Sequence, residues 1–258
     1  MIINIQNPID NSIMKWYDND FTRANEPGPN HQIKQKKCSL KFVLEKGIGV
    51  LDIGAHIGDY GICLAHALRN LNRQDIKVYC IEPTKSKCDF MNDVCKLNQL
   101  EDYVKVICKG ISNDIGNFSI TKTGSFSESK CGNNTGAWQW VPDEQGIEFT
   151  TLDYLWKSNQ IGEIGFFWLD AQWMEKQVLE GGKTFLKHCK PYILMEYMYI
   201  NKYHDDNYSI TESNFGTKNQ LLHDPHFKSL FQELNIIIST KKIIYQLKNF
   251  GDILLELL

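Results

Sequence analysis

Four apolar runs in this chain end at an acid. Val50-Leu51 leads into Asp52, Ile76 to Ile81 into Glu82, Ile164 to Leu169 into Asp170, and Pro191 to Met195 into Glu196. A carboxylate in such a place can accept hydroxyl hydrogens, take a proton from a reacting oxygen, or share a divalent cation. The first acid opens Asp52-Ile53-Gly54-Ala55-His56-Ile57-Gly58, with a helical pattern directly after it. Glycine takes backbone angles that a Cβ forbids and lets a ligand approach the main chain. The unpaired N–H groups at the start of the following helix suit a carboxylate or phosphate. This is not the dinucleotide fingerprint, because His56 stands where a second glycine would bring the backbone onto a pyrophosphate. A nicotinamide-dependent oxidoreductase is disfavoured on that ground.

Each acid carries a sharp reading and a plain one. Pro83 holds the residue before it extended, so Glu82 is fixed at the tip of its strand. An acid there can accept hydrogen bonds from two ribose hydroxyls, or be a surface carboxylate before a helix. Asp170 is the first candidate for a base, with helix capping as the alternative, and Glu175 and Glu196 are secondary candidates. Asp170 and Glu196 end neighbouring strands and could share a divalent ion, but two oxygen ligands do not make a metal site, and none is assigned. His56 suits a hydrogen-bond partner better than a base. His204, His223 and His226 are too spread to form a metal site.

The elements that must position these groups follow from periodicity. A helix after Gly58 places Ile57, Gly61, Leu64, Leu68 and Leu71 on one stripe. Thr84 or Ser86 can cap a helix carrying Phe90, Met91, Val94, Cys95 and Leu97. Strands at Ile76 to Ile81 and Tyr103 to Cys108 alternate with these helices in the doubly wound α/β pattern. Asn117 to Thr121 reads as an extra short strand. One helix is expected after Asp170, with Met174, Val178, Leu179, Gly182, Phe185 and Leu186 inward. A helix over Phe227 to Leu234 and strands at Ile236 to Ile238 and Asp252 to Leu257 close the chain. Residues 122 to 146 form a long loop rich in Gly, Ser and Asn, with Trp138 and Trp140 near its end. Such rings suit the apolar face of a sugar, or pack the loop on itself.

Residues 1–37 read as a polar N-terminal arm or cap, anchored through Met14-Lys15-Trp16-Tyr17, and residues 38–258 as the catalytic domain. Lys34, Lys36 and Lys37 read as a solvated face; the sharper reading is an arm that touches an anionic substrate. The chain has 258 residues, 42% apolar and 23% charged, with a net charge of -3 and a pI near 6.2, which gives no general pull towards nucleic acid. Its 8 cysteines show no Cys-x-x-Cys and no zinc spacing, so they fit a reducing, cytoplasmic compartment rather than a disulfide framework. The N-terminus lacks signal-peptide character, and no apolar run is long enough to span a membrane. Abundant Asn, Ile and Lys would suit an AT-rich genome such as that of a large DNA virus, with the protein acting in the infected host cell.

Asp52-Ile53-Gly54-Ala55-His56-Ile57-Gly58, then Glu82-Pro83, Thr151-Leu152-Asp153 and Leu169-Asp170-Ala171-Gln172-Trp173-Met174-Glu175 occur in this order. In this the chain resembles the FkbM family of S-adenosylmethionine-dependent O-methyltransferases, over roughly residues 45 to 200. The family's motifs read Asp-Val-Gly-Ala-Asn-x-Gly, Glu-Pro, Thr-Leu-Asp and Lys-Ile-Asp-Val-Glu-Gly-x-Glu. The resemblance implies a Rossmann-like class I methyltransferase, with a mostly parallel seven-stranded sheet, helices on both faces and an antiparallel pair at one end. It implies S-adenosylmethionine as cofactor, its methionine part held by Asp52, Gly54, Ala55, His56 and Gly58, its ribose by Glu82, and its adenine near Ser112. Asp170 would sit beside the sulfonium and the acceptor hydroxyl, which the family's tendency makes a sugar or glycan. His56 replaces the family Asn, Trp168 its Lys and Trp173 its Gly, so two large rings must be accommodated near the reaction centre. An RNA ribose or cap 2'-O-methyltransferase on the same fold is the rival enzyme, and a cofactor-binding scaffold without turnover the non-enzymatic one.

Overall fold

Every residue of β10 (Ile164–Leu169) is buried, as its unbroken apolar sequence requires of a strand covered on both faces. It pairs in parallel with β3 (Gly49–Ile53) on one side and β11 (Tyr192–Glu196) on the other. Parallel pairing continues from β3 to β4 (Val78–Ile81) and β5 (Val104–Ile107). Beyond β11 lie β13 (Asp252–Leu257) and β12 (Ile236–Ile238), both antiparallel to their neighbours. The 7-stranded order is β12-β13-β11-β10-β3-β4-β5, the mostly parallel α/β sheet that the sequence predicts. The computed structural model describes residues 1–18, 32–121, 139–171, 174–197, 221, 224–238 and 252–257. Trp138, Trp173, Cys131, His204 and His223 lie outside them. The chain leaves β3 towards β4 and β5, then crosses back to β10, so the switch point of the sheet lies between β3 and β10.

Helices cover both faces. On one, α1 (Ile33–Lys46), α2 (Gly61–Asn70) and α3 (Lys85–Leu97) bring Phe42, Leu64 and Met91 against Val50, Val78 and Phe166. On the other, α4 (Leu152–Lys157), α5 (Glu175–Glu180), α6 (Lys183–Cys189) and α7 (Pro225–Leu234) bring Leu155, Val178, Phe185 and Phe231 against Leu51 and Phe167.

The single helix expected after Asp170 is two, broken at Gly181-Gly182. A Cβ on Gly181 would come 2.1 Å from the Ser112 carbonyl oxygen, so the chain there is pressed against a neighbouring loop. Thr151-Leu152-Asp153 organises the break. The Thr151 hydroxyl accepts from the Tyr154 N–H and caps α4. Leu152 is buried. Asp153 accepts from the N–H groups of Thr184 and Phe185 at 3.2 and 2.8 Å, capping α6 from another element.

The N-terminal residues form a hairpin, β1 (Ile2–Gln6) with β2 (Ile13–Tyr17), laid against α2 and α3. Met14 and Trp16 are buried, as an anchor requires, and Trp16 meets Phe90 edge-on at 5.8 Å. On α2 the Asn7 side chain donates to the Cys63 carbonyl at 2.9 Å, and that helix is buried from Gly61 to Leu68 rather than along one stripe, while Leu71 is 48% exposed. The hairpin shares one core with the sheet, and α1 runs straight through residues 37 and 38, where the sequence reading ends its arm. Asn98 fastens it: the side chain accepts from the Lys15 N–H and donates to the Lys15 carbonyl, both at 2.8 Å, and donates to the Val94 carbonyl. Asn98→Ala leaves both Lys15 backbone groups without those bonds, so a loss of about 1–3 kcal/mol is expected in urea unfolding. Unchanged stability would mean that the hairpin does not dock through Asn98.

A second sheet of 4 strands has the order β6-β9-β7-β8, from β6 (Gly110–Ile111), β9 (Ile147–Thr150), β7 (Gly116–Thr121) and β8 (Gln139–Pro142). The lone extra strand expected near 117–121 is one member of it, and the far end of the long loop, with Trp140, supplies β8. Phe118 and Phe149 pack ring to ring at 4.4 Å, and Gly110 lies under Phe149, where a Cβ would meet the ring at 2.2 Å. The cysteines among the described residues are free thiols. No helix among these residues is long and apolar enough to cross a membrane.

Candidate active site

The tips of β3 and β10 touch at the switch point. The Asp170 N–H donates to the Ile53 carbonyl at 3.1 Å, and a Cβ on Gly54 would lie 1.8 Å from the Asp170 carbonyl oxygen. Gly54 also has φ +75°, so both space and backbone angle demand glycine. The chain then bends towards β4, with the Gly54 and Ala55 N–H groups both donating to the Ile81 carbonyl. His56 (φ +52°) and Gly58 (φ +77°) complete a turn with three left-handed residues. Histidine tolerates that region better than most side chains.

This turn delivers the His56 N–H to Glu82 Oε2 at 3.1 Å. The other carboxylate oxygen accepts from the Thr84 N–H at 3.0 Å and lies 3.9 Å from Lys87 Nζ. Glu82 is 5% exposed, fixed at the end of β4 where its own N–H donates to the Ile107 carbonyl. An ionised carboxylate offers about four lone-pair directions, so acceptor capacity remains for hydroxyl donors. Thr84 is the N-cap of α3 by backbone angle, but its side chain makes no cap bond there.

Asp52 lies beneath the turn. Its Oδ2 accepts from the Gly61 N–H at 2.9 Å, at the positive end of α2. Burial first, and then the charge of Asp59, push its pKa up to about 8. A Cβ on Gly61 would stand 2.4 Å from Cys80 Sγ, so glycine is what lets α2 begin this close to β4.

Ser112 is 2% exposed, just past β6; its N–H donates to the Thr150 carbonyl at 2.9 Å and its hydroxyl to Asn113 Oδ1. It therefore lies at the end of the second sheet, held to β9. Asp170 is partly exposed beside Gly54. Glu175, the first residue of α5, accepts from the Ala171 N–H at 3.0 Å and ties the segment after β10 to the helix start, a structural use of that carboxylate. Glu196 ends β11 in register with Asp252 of β13. Among the described residues, no group of three or more His, Cys, Asp or Glu side chains could hold a metal ion.

Trp168 is 5% exposed and stacks on Tyr60 at 4.1 Å, in the core that α1, α2 and α3 share with the sheet. Its place in β10 fixes this, because Trp168 alternates with Phe167 and Leu169, which face the opposite layer. Lys36 is not solvated. Its side chain is 0% exposed and its ammonium lies 2.5 Å from Asp59 Oδ2, next to Gly58. Sequence reasoning passed over this pair, although Lys36, Ser39 and Val43 share one helical stripe and are all buried.

A family model described as the methyltransferase FkbM domain matches residues 52–247. Among solved structures, the chain is similar to a methyltransferase FkbM from Methylobacillus flagellatus KT, at 13% identity and a TM-score of 0.44, covering 81% of this chain but 43% of that one. It is similar to an O-methyltransferase from Bacillus cereus in complex with SAH, at 13% identity, with 92% and 86% covered and a TM-score of 0.48. A SAM-dependent methyltransferase from Aquifex aeolicus gives 14% identity, 86% and 89% coverage and a TM-score of 0.42. Comparison with curated proteins finds no match.

Proposed function

The chain belongs to the FkbM methyltransferase family, and from that premise we propose that it moves the methyl group of S-adenosylmethionine onto a hydroxyl of a sugar or glycan. The observation that carries the cofactor half is Glu82: a buried, acceptor-only carboxylate, oriented by the His56 and Thr84 N–H groups, beside a turn with no room for a Cβ at Gly54. That donor and acceptor set fits a ribose diol against Glu82 and an amino-acid end against Gly54 to Gly58, with Asp52, Ala55 and His56 in the same wall. Ser112 remains the residue proposed nearest the adenine.

S-adenosylmethionine, when bound, supplies an electrophilic methyl on a sulfonium. The new O–C bond forms as the C–S bond breaks, so the residues must align the acceptor oxygen, exclude water and take its proton. Asp170 is the proposed base, since it ends β10 at the switch point and is partly exposed. Glu175 is a weaker candidate because it accepts from the Ala171 N–H; Glu196, at the end of the next strand, stands second. The glycan acceptor is supported by family tendency and by the aromatic and polar stretch 122–146. An RNA acceptor would call for a cation beside Asp170, and position 168 instead holds a tryptophan buried in the core.

Calorimetric titration with S-adenosylmethionine tests the cofactor. Glu82→Ala is expected to weaken binding by about 1.5–3 kcal/mol, the scale of losing hydrogen bonds to a charged group. Transfer of labelled methyl to a glycan pool, with an RNA pool alongside, then tests the acceptor. Wild-type protein that binds no S-adenosylmethionine would overturn the reading, and tight binding without transfer to any pool would favour a scaffold.

A further inference from the structure

Lys36 comes from α1, outside the stretch that the family model matches, yet it reaches the centre of the candidate site. Its ammonium is enclosed and paired with Asp59, the residue between Gly58 and Tyr60. Asp59 in turn acts on Asp52, whose carboxylate receives the first N–H of α2. Taking a lysine out of water is costly, and a well-packed apolar pair commonly serves a fold as well as a buried ion pair does. α1 already has Phe42 and Val43 to bind it to the sheet. A fully buried lysine whose ammonium is aimed at a glycine turn calls for a role in the turn.

We propose that Lys36 is a positioning residue of the cofactor site: from α1 it pins Asp59, and through Asp59 the turn from Gly54 to Gly61, in the shape that receives the methionine end of S-adenosylmethionine. This rests on the cofactor reading above. It also makes α1 part of the site, so that a domain cut at residue 52 would lack a component of it.

The charge on the turn gives a readout that a purely packing role would not move. Asp52 of β3 faces Asp59 and Asp170, which favour its protonated form, and Lys36, which favours the carboxylate. The other titratable groups around it are Tyr60, Cys63 of α2 and Cys80 of β4, and burial raises the pKa of all three, which keeps them neutral near pH 7. Asp10 of the hairpin acts on Cys63 from the far side.

The test is calorimetric titration of S-adenosylmethionine, from neutral to alkaline pH, into the full chain and two variants, Lys36→Met and the neutral pair Lys36→Met with Asp59→Asn. Circular dichroism first identifies the variants that fold. Each folded variant is expected to bind about tenfold or more weakly, the scale of losing a residue that supports a binding group. The curve of affinity against pH is expected to move to higher pH in Lys36→Met, where the cation favouring ionised Asp52 is gone. In the neutral pair it is expected to move to lower pH, because Asp59, the largest charge opposing that ionisation, is gone too. The ligand's own amino group titrates in the same range, so the difference between proteins is what counts. If Lys36→Met cannot fold with a lone buried carboxylate, the neutral pair decides alone. A folded variant that matches wild type in affinity and pH curve overturns the role of Lys36 while leaving the cofactor reading intact. Wild type that does not bind overturns both.

Discussion

Gly54→Ala is expected to destabilise the protein by about 3–5 kcal/mol and to abolish cofactor binding, the largest stability effect of any single methyl group in this site. Two costs combine. A residue with a Cβ held at φ +75° stores about 1–3 kcal/mol of backbone strain. The new carbon would also lie 1.8 Å from the Asp170 carbonyl oxygen, a backbone atom that moves only if β10 moves. Because the Asp170 N–H is bonded to the Ile53 carbonyl, relief of the clash parts β3 from β10 at the switch point. Gly58→Ala is the internal comparison. Its φ of +77° carries similar strain, but its Cβ meets the flexible end of Ile62, so it is expected to cost about half as much or less. Urea unfolding of both variants separates the cases, and equal losses would show that strain alone, without the contact between strand tips, governs the turn.

What the sequence made legible was whatever depends on one run of residues and its ending. β10 is a continuous apolar run, and β11 is one up to its closing Glu196; a run buried on both faces needs no knowledge of its neighbours. Glu82 was legible because proline fixes its place at a tip. Hidden instead were features set by what lies across an interface. α2 reads as a helix with one buried stripe, and it is buried from Gly61 to Leu68 because a distant hairpin meets it as well as the sheet. The helix after Asp170 is interrupted at Gly181-Gly182, where the Ser112 carbonyl oxygen from another layer leaves no room for a Cβ. Trp168 could be assigned to a face only once the register of β10 was known. Lys36 was hidden for a chemical reason: three lysines in a short run look solvated, and only the helical stripe separates the buried one from Lys34 and Lys37, which are exposed.

Those interface features bear on how the site could be supported. Asp153 ties α4 to α6, Gly181 sets α5 against the loop after β6, and Lys36 ties α1 to the glycine turn. The strand tips supply the groups proposed to meet the cofactor, and residues from other layers fix their angles. Motifs in one sequence identify the first set better than the second, since a strand tip has a local signature and a support across layers does not.

Asp170→Asn carries the other large effect, on rate. A positioned base contributes about 10²–10⁴-fold to a proton transfer. The amide keeps the shape of the carboxylate but cannot take a proton, so kcat is expected to fall by about that factor once an acceptor is in hand. Affinity for S-adenosylmethionine is expected to change little, because the ribose and methionine ends are assigned to Glu82 and the glycine turn. Single-turnover kinetics with labelled cofactor separates the alternatives. If the loss fell on cofactor affinity, with kcat preserved, Asp170 would orient the cofactor or cap the following helix, and the base would have to be sought at Glu196. If stability fell instead, the contact between the Asp170 backbone and Ile53 would be the residue's main contribution. Asn can keep that backbone bond, so the expected pattern is a slow enzyme that folds and binds normally.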